Sequence, residues 1–220
     1  MSDHFPKTDL NQVRRVPKRG SYDKETVYDI IDTSLTCHVG LIQDGQPIVI
    51  PTILARDEDQ LLLHGASTSR LMRYAASGEP LCITVTHVDG LVLARSVFHH
   101  SMNYRSVVVF GSGELIDEPT AKMNAMYRFT EKLIPGRWDD ARQPNEVELK
   151  ATSIVSVSLD SGSSKVRVGA PVDDEEDYAL PVWAGVLPMR TVFGELDADE
   201  ALPANIPVPA YLQDYADSKQ

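Results

Sequence analysis

The feature of this sequence that most constrains its fold is a series of short, β-rich apolar runs joined by tight turns. Two pairs of such runs each surround an Asp-Gly dipeptide: Leu35–Gln43 with Ile48–Ala55, and Leu81–Val88 with Leu91–Val97. An Asp-Gly dipeptide between two apolar runs is a strong signal for a β-hairpin. Asp44-Gly45 and Asp89-Gly90 therefore predict antiparallel strand pairs.

The remaining runs predict a mainly β fold with peripheral helices. Strands and helices do not alternate regularly along the chain, which argues against a doubly wound sheet and favours a barrel. The pattern predicts an N-terminal arm over residues 1–22, a barrel domain over 23–190 and a C-terminal tail over 191–220. The further strands are predicted at Leu61–His64, Tyr104–Ile116, Ser153–Leu159 and Val182–Met189, and the helices at Asp23–Ser34, Ser69–Ala76, Pro119–Leu133 and Asn145–Lys150.

Charge and composition exclude several classes of protein. A formal net charge of −11 argues against a nucleic-acid-binding protein, because phosphate contacts need a basic surface. Neither a signal peptide nor an apolar stretch of about 18 residues is recognisable, so a cytoplasmic protein without a membrane partner is expected. Cys37 and Cys82 lie in apolar runs and are interpreted as buried small side chains, in keeping with a reducing compartment.

The segment LLLHGASTSRLMR, residues 61–73, is a candidate anion site. A predicted strand ends at His64, small and hydroxyl-bearing residues follow, and Arg70 and Arg73 lie in the first turn of a predicted helix. Backbone N–H groups, hydroxyls and guanidinium groups together bind phosphate. The alternative is an ordinary Ser/Thr helix cap followed by two exposed arginines, and the sequence leaves both possibilities open.

Three other places carry polar residues that suit either function or structure. His99 and His100 stand in a polar link between two predicted strands, where binding residues often lie, but they lack the i, i+4 spacing of a helical metal pair. Arg105 suits a cross-strand ion pair or a second cation near a ligand. The segment from Ser161 to Arg167 suits a flexible turn or an electropositive loop. No metal site is predicted.

Several blocks of the sequence, in order, resemble the pyridoxamine 5′-phosphate oxidase-related flavin-binding proteins, in particular the branch related to the nitroimidazole-resistance proteins. The blocks are HxxxxSRLxR, HHSMNYRSVVVFG, IPGRW, ELKAT, SxKVR and DDEEDYALPVWAGVLP, and they cover roughly residues 14–190. The resemblance implies a six-stranded antiparallel split β-barrel, non-covalently bound FMN, and an obligate homodimer with two cofactor sites at the subunit interface.

The resemblance also implies which residues bind the cofactor. Ser69 and Arg70 match the phosphate-binding pair, and Arg73 stands in for a family lysine that Leu71 replaces. A tryptophan expected near the C-terminal loop is Ser161 here. The implied cofactor-binding positions are Ile50, Pro51, Thr52, Leu54, Leu63, His64, Ser69, Arg70, Arg73, Ser106, Lys165 and Arg167.

The function implied by the resemblance is that of an FMN-dependent oxidoreductase acting on a small molecule, either nitroreductase-like or pyridoxamine-phosphate-oxidase-like. The alternative is a non-catalytic protein that binds or carries flavin or haem. His64 is the candidate catalytic residue, because an imidazole beside a flavin can transfer a proton. A packing role for His64 remains equally open at this stage.

Overall fold

A computed structural model describes residues 2–218, and it confirms a mainly β fold with peripheral helices. The strands are β1 Gly20–Ser21, β2 Thr36–Gln43, β3 Gln46–Asp57, β4 Gln60–Ala66, β5 Pro80–Leu93, β6 Ser101–Ser112, β7 Glu114–Ile116, β8 Thr152–Ser158, β9 Gly162–Arg167 and β10 Gly185–Pro188. The α-helices are α1 Lys24–Asp32, α2 Arg70–Ala75, α3 Pro119–Leu133, α4 Arg137–Asp140, α5 Glu146–Ala151 and α6 Ala210–Asp217.

The strands form one antiparallel sheet, and no strand ladder joins its two ends within the described residues. Its order is β1-β9-β6-β5-β2-β3-β4-β8-β7, with β10 added beside β5. Because β6 leads into β7 across Gly113 and β8 turns into β9, the chain joins the two ends of the sheet and a barrel results. A Cβ atom on Gly113 would lie 2.3 Å from the Ala75 carbonyl oxygen, so this corner needs glycine.

The core has two parts, one on each side of β4. The barrel interior is filled by alternate strand residues such as Val39, Leu61 and Leu63, and α1 contributes its apolar face. A smaller cluster outside the barrel packs Leu62 of β4 against Phe129 of α3. Strand β4 is therefore buried on both faces, which explains its continuous apolar run.

The hairpin predicted at Asp89-Gly90 is wrong, because the two runs form the single long strand β5. The ladder with β6 shifts register between Val88 and Gly90, as in a β-bulge. A Cβ atom on Gly90 would lie 2.9 Å from the Leu187 carbonyl oxygen, so this glycine admits strand β10. The Asp-Gly pair thus serves close strand packing here and does not form a turn.

The strand count is consistent with a split barrel, because three of the ten strands of the described residues, β1, β7 and β10, are short additions of two to four residues each. Residues 162–167 form a strand and not a flexible loop. The predicted arm is held to the barrel by Phe5, which is 3% exposed, and by Asn11, whose Nδ2 donates to the Gly162 carbonyl oxygen at 3.1 Å. Within residues 2–218, no helix has the length and apolar character needed to cross a membrane.

Candidate functional site

Strands β3 and β4 separate after a short paired stretch, and the space between their diverging segments is called the cleft below. The two strands pair over only four residues each, ending with Leu54 opposite Leu63. Beyond that pair, β4 continues alongside β8 and β3 continues alongside β2. The edge of β3 from Ile50 to Ile53 that would face β4 therefore has no strand partner within the described part of the chain. Its backbone N–H and C=O groups are free to bind a ligand.

Helix α2 begins directly after β4 and supplies cationic side chains beside this cleft. Ser69 caps the helix, since its Oγ accepts the Met72 backbone N–H at 3.2 Å, and its own hydroxyl hydrogen remains available to donate. The guanidinium groups of Arg70 and Arg73 are exposed and form no hydrogen bond or ion pair with any residue between 2 and 218. They are three residues apart, so they share one face of the helix. This donor set suits a phosphate group.

His64 is the first residue of β4 after the strands separate, and it lies beneath α3. Its ring centroid is 4.2 Å from that of Phe129. Its Nδ1 atom is buried and has no hydrogen-bond partner among the described residues. Burial lowers the pKa of His64, so the imidazole is neutral at pH 7. A buried ring nitrogen without a partner fits a ligand that offers a polar group in the cleft.

The other predicted cofactor-binding residues of β3 and β4 lie partly in the core and partly at the surface. Leu54 and Leu63 are fully buried, so their side chains serve the barrel core and only their backbones could approach a ligand. Ile50 packs against the core, Pro51 is exposed and Thr52 is half-buried. The open strand edge makes the backbone of Ile50, Pro51 and Thr52 accessible, whereas the sequence pointed to these residues only through the family resemblance.

Ser106, Lys165 and Arg167 do not join this cleft within one chain. They lie on β6 and β9, and four strands separate β9 from β4 along the sheet. Ser106 Oγ donates to the Lys165 carbonyl oxygen at 3.2 Å, while the Lys165 ammonium group has no partner among the described residues. Arg167 is 8% exposed and donates to Asn103 Oδ1 and to the carbonyl oxygens of Gly169 and Ala170.

Two arginines form ion pairs within the chain, Arg105 with Asp89 and Arg95 with Asp173. Arg105 Nε and Nη2 lie 3.1 Å from the carboxylate oxygens of Asp89, as expected of the cross-strand ion pair. Arg95 donates from Nη1 to Asp173 Oδ2 at 3.1 Å. The Asp173 side chain is completely buried, although it lies in a run of acidic residues. The sequence carries no signal that separates Asp173 from its exposed acidic neighbours.

Asp173 anchors the link that contains His99 and His100. Its Oδ1 accepts the backbone N–H groups of Arg95 at 2.8 Å and Ser96 at 3.2 Å. Burial alone would raise the pKa of Asp173, but these hydrogen bonds and the Arg95 guanidinium outweigh burial and lower it. The carboxylate therefore stays ionised and holds the start of the link in place.

Comparison with known proteins gives a consistent picture. A family model described as pyridoxamine 5′-phosphate oxidase matches residues 23–166. Among curated proteins, none matches the chain.

Solved structures extend the comparison over nearly the whole chain. The flavocytochrome Anf3 from Azotobacter vinelandii is 38% identical, over 94% of this chain and 96% of that chain, with a TM-score of 0.90. An FAD and heme binding protein from Mycobacterium smegmatis is 34% identical, over 89% and 96% of the two chains, with a TM-score of 0.86. A protein from Bacteroides thetaiotaomicron, described as concerned with 5-nitroimidazole antibiotic resistance, is 22% identical over 67% and 86%, with a TM-score of 0.56, and shares the fold.

Proposed function

The chain belongs to the pyridoxamine 5′-phosphate oxidase family, and on that premise we propose that it binds a flavin nucleotide in the cleft between β3 and β4. The observation that carries the proposal is the pair Arg70 and Arg73, two unpaired guanidinium groups beside an open strand edge. In this assignment the arginines and the Ser69 hydroxyl bind phosphate, and the backbone of Ile50–Ile53 hydrogen-bonds the flavin ring.

The proposal also specifies which flavin nucleotide is bound, FAD or FMN. The resemblance implied FMN, but a relative that is 34% identical is described as binding FAD, and this favours FAD for the present chain. FAD carries two phosphates, and Arg70 and Arg73 provide two guanidinium groups on one helix face. Release of the cofactor by denaturation, followed by mass spectrometry, distinguishes FAD from FMN directly.

We include a homodimer in the proposal, because one chain cannot assemble all the predicted site residues. Ser106 and Lys165 lie on strands that do not pair with β3 or β4, which supports a second copy of the chain bringing them to a shared site. Sedimentation or light scattering of the purified protein tests this part. A monomer that retains flavin would remove Ser106, Lys165 and Arg167 from the site.

The proposed activity is that of an oxidoreductase acting on a small molecule. The flavin, when bound, supplies the redox chemistry, and the protein supplies orientation and electrostatics. The contribution of this chain is proton handling at His64, because its neutral imidazole can accept a proton during the reaction and return it afterwards. The cover provided by Phe129 limits access of water to that ring.

Cofactor retention in variants tests the flavin site. Loss of one hydrogen bond to a charged group costs about 1.5–3 kcal/mol, so Arg70→Ala is expected to weaken flavin binding by at least tenfold. Arg128→Ala is the matched control, since it removes an exposed guanidinium from α3. Equal flavin affinity in wild type and Arg70→Ala, or a colourless protein that ignores added FMN and FAD, would refute the site.

Turnover tests the role of His64. Reduction of a nitroaromatic compound with NADH or NADPH is compared in wild type, His64→Gln and the exposed-site control His4→Gln, each loaded with flavin. A loss confined to His64→Gln, with flavin binding retained, supports proton handling by His64. Equal rates in all three would leave His64 as a packing residue.

We propose haem as a second ligand, because two relatives more than 30% identical are described as a flavocytochrome and as an FAD and heme binding protein. Haem iron in proteins is commonly held by a histidine. A Soret absorption band in the purified or haemin-treated protein would support this assignment. Its absence after treatment would leave flavin as the sole proposed cofactor.

A further inference from the structure

The segment that joins β10 to α6, residues 189–209, contains no helix or strand and is called the acidic loop below. Both of its ends are attached to the barrel. The Met189 backbone N–H donates to the Asp89 carbonyl oxygen at 3.0 Å, and beyond the other end the Tyr211 hydroxyl donates to Asp140 Oδ2 at 2.8 Å. Loops longer than about 12–15 residues without secondary structure are uncommon in a compact domain, and those that are ordered usually serve a function.

The acidic loop exposes both apolar side chains and unpaired carboxylates. Val192 is 62% exposed and Ile206 is 50% exposed. The side chains of Glu195, Asp197 and Glu200 are exposed and form no ion pair with any residue between 2 and 218. A segment that buries so little gains little free energy to offset the conformational entropy lost when it is ordered. The loop is therefore suited to a binding surface outside its own chain.

The N-terminal arm carries the opposite charge on residues 14–19, which are called the basic segment below. Its Arg14, Arg15 and Lys18 side chains are exposed and have no carboxylate partner in the described part of the chain. The only contact of the Arg14 guanidinium is with the Asp9 carbonyl oxygen, at 3.4 Å. Leu10, close by in the chain, is 61% exposed. The arm thus offers cations and an apolar side chain to a partner that has acids and apolar side chains.

The basic segment is held in place on the barrel. The Val13 backbone N–H donates to the Tyr22 hydroxyl at 3.0 Å. Val16 has a φ of 53°, which is strained for a β-branched residue and persists only where the surrounding structure holds it. The segment leads directly into β1, where Gly20 lies opposite Lys165 of β9. The basic segment is therefore next to Lys165, one of the residues that the proposed homodimer brings to the cleft of the other copy.

The acidic loop and the basic segment lie on different sides of one chain. The loop leads to α6, which contacts α4, and α4 follows α3, the helix that covers His64 beside the cleft. The basic segment adjoins β9, which four strands separate from β4. A dimer that brings β9 of one copy to the cleft of the other also brings the basic segment to the side where the acidic loop ends. Two-fold symmetry makes such a contact twice.

We infer that the acidic loop of each copy binds the basic segment of the second copy, so that two reciprocal contacts hold the dimer together. This inference rests on the proposed homodimer and adds to it the two surfaces that form the contact. Opposite charges on these surfaces select this pairing over other arrangements of the two chains. The exposed apolar side chains of both segments are removed from water in the same contact.

A charge exchange between the two segments tests the inference in the full-length protein. One variant reverses the loop, and the other reverses the arm: Glu195→Lys, Asp197→Lys and Glu200→Lys in the first, and Arg14→Glu, Arg15→Glu and Lys18→Glu in the second. Each variant alone places like charges opposite each other, so its dimer dissociation constant is expected to rise by at least about tenfold in sedimentation at low ionic strength.

An equimolar mixture of the loop variant and the arm variant is the decisive sample. In a heterodimer of the two, both contacts again join opposite charges. Native mass spectrometry is therefore expected to show heterodimers in excess over either homodimer. The matched control combines Glu79→Lys, Glu114→Lys and Asp117→Lys, which are exposed elsewhere and change the net charge by the same amount as the loop variant. The control is expected to dimerise as the wild type does and to show no preference for the arm variant.

The outcomes separate this inference from the proposal beneath it. A wild type that stays monomeric refutes both the homodimer and the contact. A dimeric wild type with an unchanged dissociation constant in the loop variant or the arm variant refutes the contact alone. Weakening in both variants without an excess of heterodimers also overturns it, because the loop would then bind the arm of its own chain or a different surface. An equal preference of the arm variant for the control would assign the effect to net charge and likewise refute the contact.

Discussion

The ring centroids of His64 and Phe129 lie 4.2 Å apart with their planes at 49°, so helix α3 covers the histidine that faces the candidate cleft. This contact joins the small outer core to the site. The burial that stabilises the fold therefore also lowers the pKa of His64, the residue proposed to accept and return a proton.

The buried His64 is expected to make stability depend on pH below neutrality. Burial lowers its folded pKa below the unfolded value of about 6.5. Its contribution to stability is therefore present above that value and is lost as pH falls through the folded pKa. Urea unfolding from pH 7.5 to 5 should show a steeper loss in wild type than in His64→Gln. Parallel curves for the two proteins would contradict this.

Gly113 is expected to tolerate no side chain. A Cβ atom there would lie 2.3 Å from the Ala75 carbonyl oxygen and 2.4 Å from Val155 Cγ1, and neither can move without shifting the barrel corner. Gly113→Ala should lower the free energy of unfolding by at least about 1–3 kcal/mol, the range for overpacking. Gly194→Ala is the control, because no atom lies within 4 Å of its added Cβ. Equal denaturation midpoints for the two variants would show that the chain around Gly113 can shift to accommodate a methyl group.

Lys132 is expected to make the protein more stable as pH rises above 8. Burial lowers its pKa from the ordinary 10.5 to about 8, while its Nζ donates to the Ile31 carbonyl oxygen at 2.7 Å. Between these two values the unfolded state holds more protons, so the free energy of unfolding rises with pH. Denaturation at pH 8 and pH 10 should show this gain in wild type and a smaller one in Lys132→Met. An equal gain in the free energy of unfolding in wild type and Lys132→Met would mean that groups other than Lys132 cause it.

Asp173 is expected to control the order of the loop from Arg95 to His100. Asp173→Ala removes the acceptor of the Arg95 and Ser96 amides, so their hydrogen exchange should become faster. Asp173→Asn keeps one acceptor oxygen and should have an intermediate effect. Asp174→Ala should leave these two amides protected, since that carboxylate is 73% exposed and contacts only the His99 ring. Unchanged exchange in Asp173→Ala would refute the anchoring role.

Local signals predicted four of the six α-helices of the described residues and missed the short α4 and the C-terminal α6. Asp23 caps α1 and Ser69 caps α2, and α3 has the predicted bounds Pro119–Leu133. Caps and helical spacing act within a few residues, so one sequence is enough to recognise them. The Asp89-Gly90 pair shows the limit of such reasoning, because the approach of β10 from almost 100 residues away made it a bulge and not a turn.

The sequence by itself determined the mainly β class, the positions of helices α1, α2, α3 and α5, and the presence of Ser69, Arg70 and Arg73 at the start of α2. Only the tertiary structure decided that β3 and β4 separate after Leu54 and Leu63, that Asp173 is buried and that Ser106 and Lys165 lie away from the cleft. The physical reason is that a helix cap depends on neighbours in the chain, whereas a strand edge is open or closed according to which distant strands pair with it.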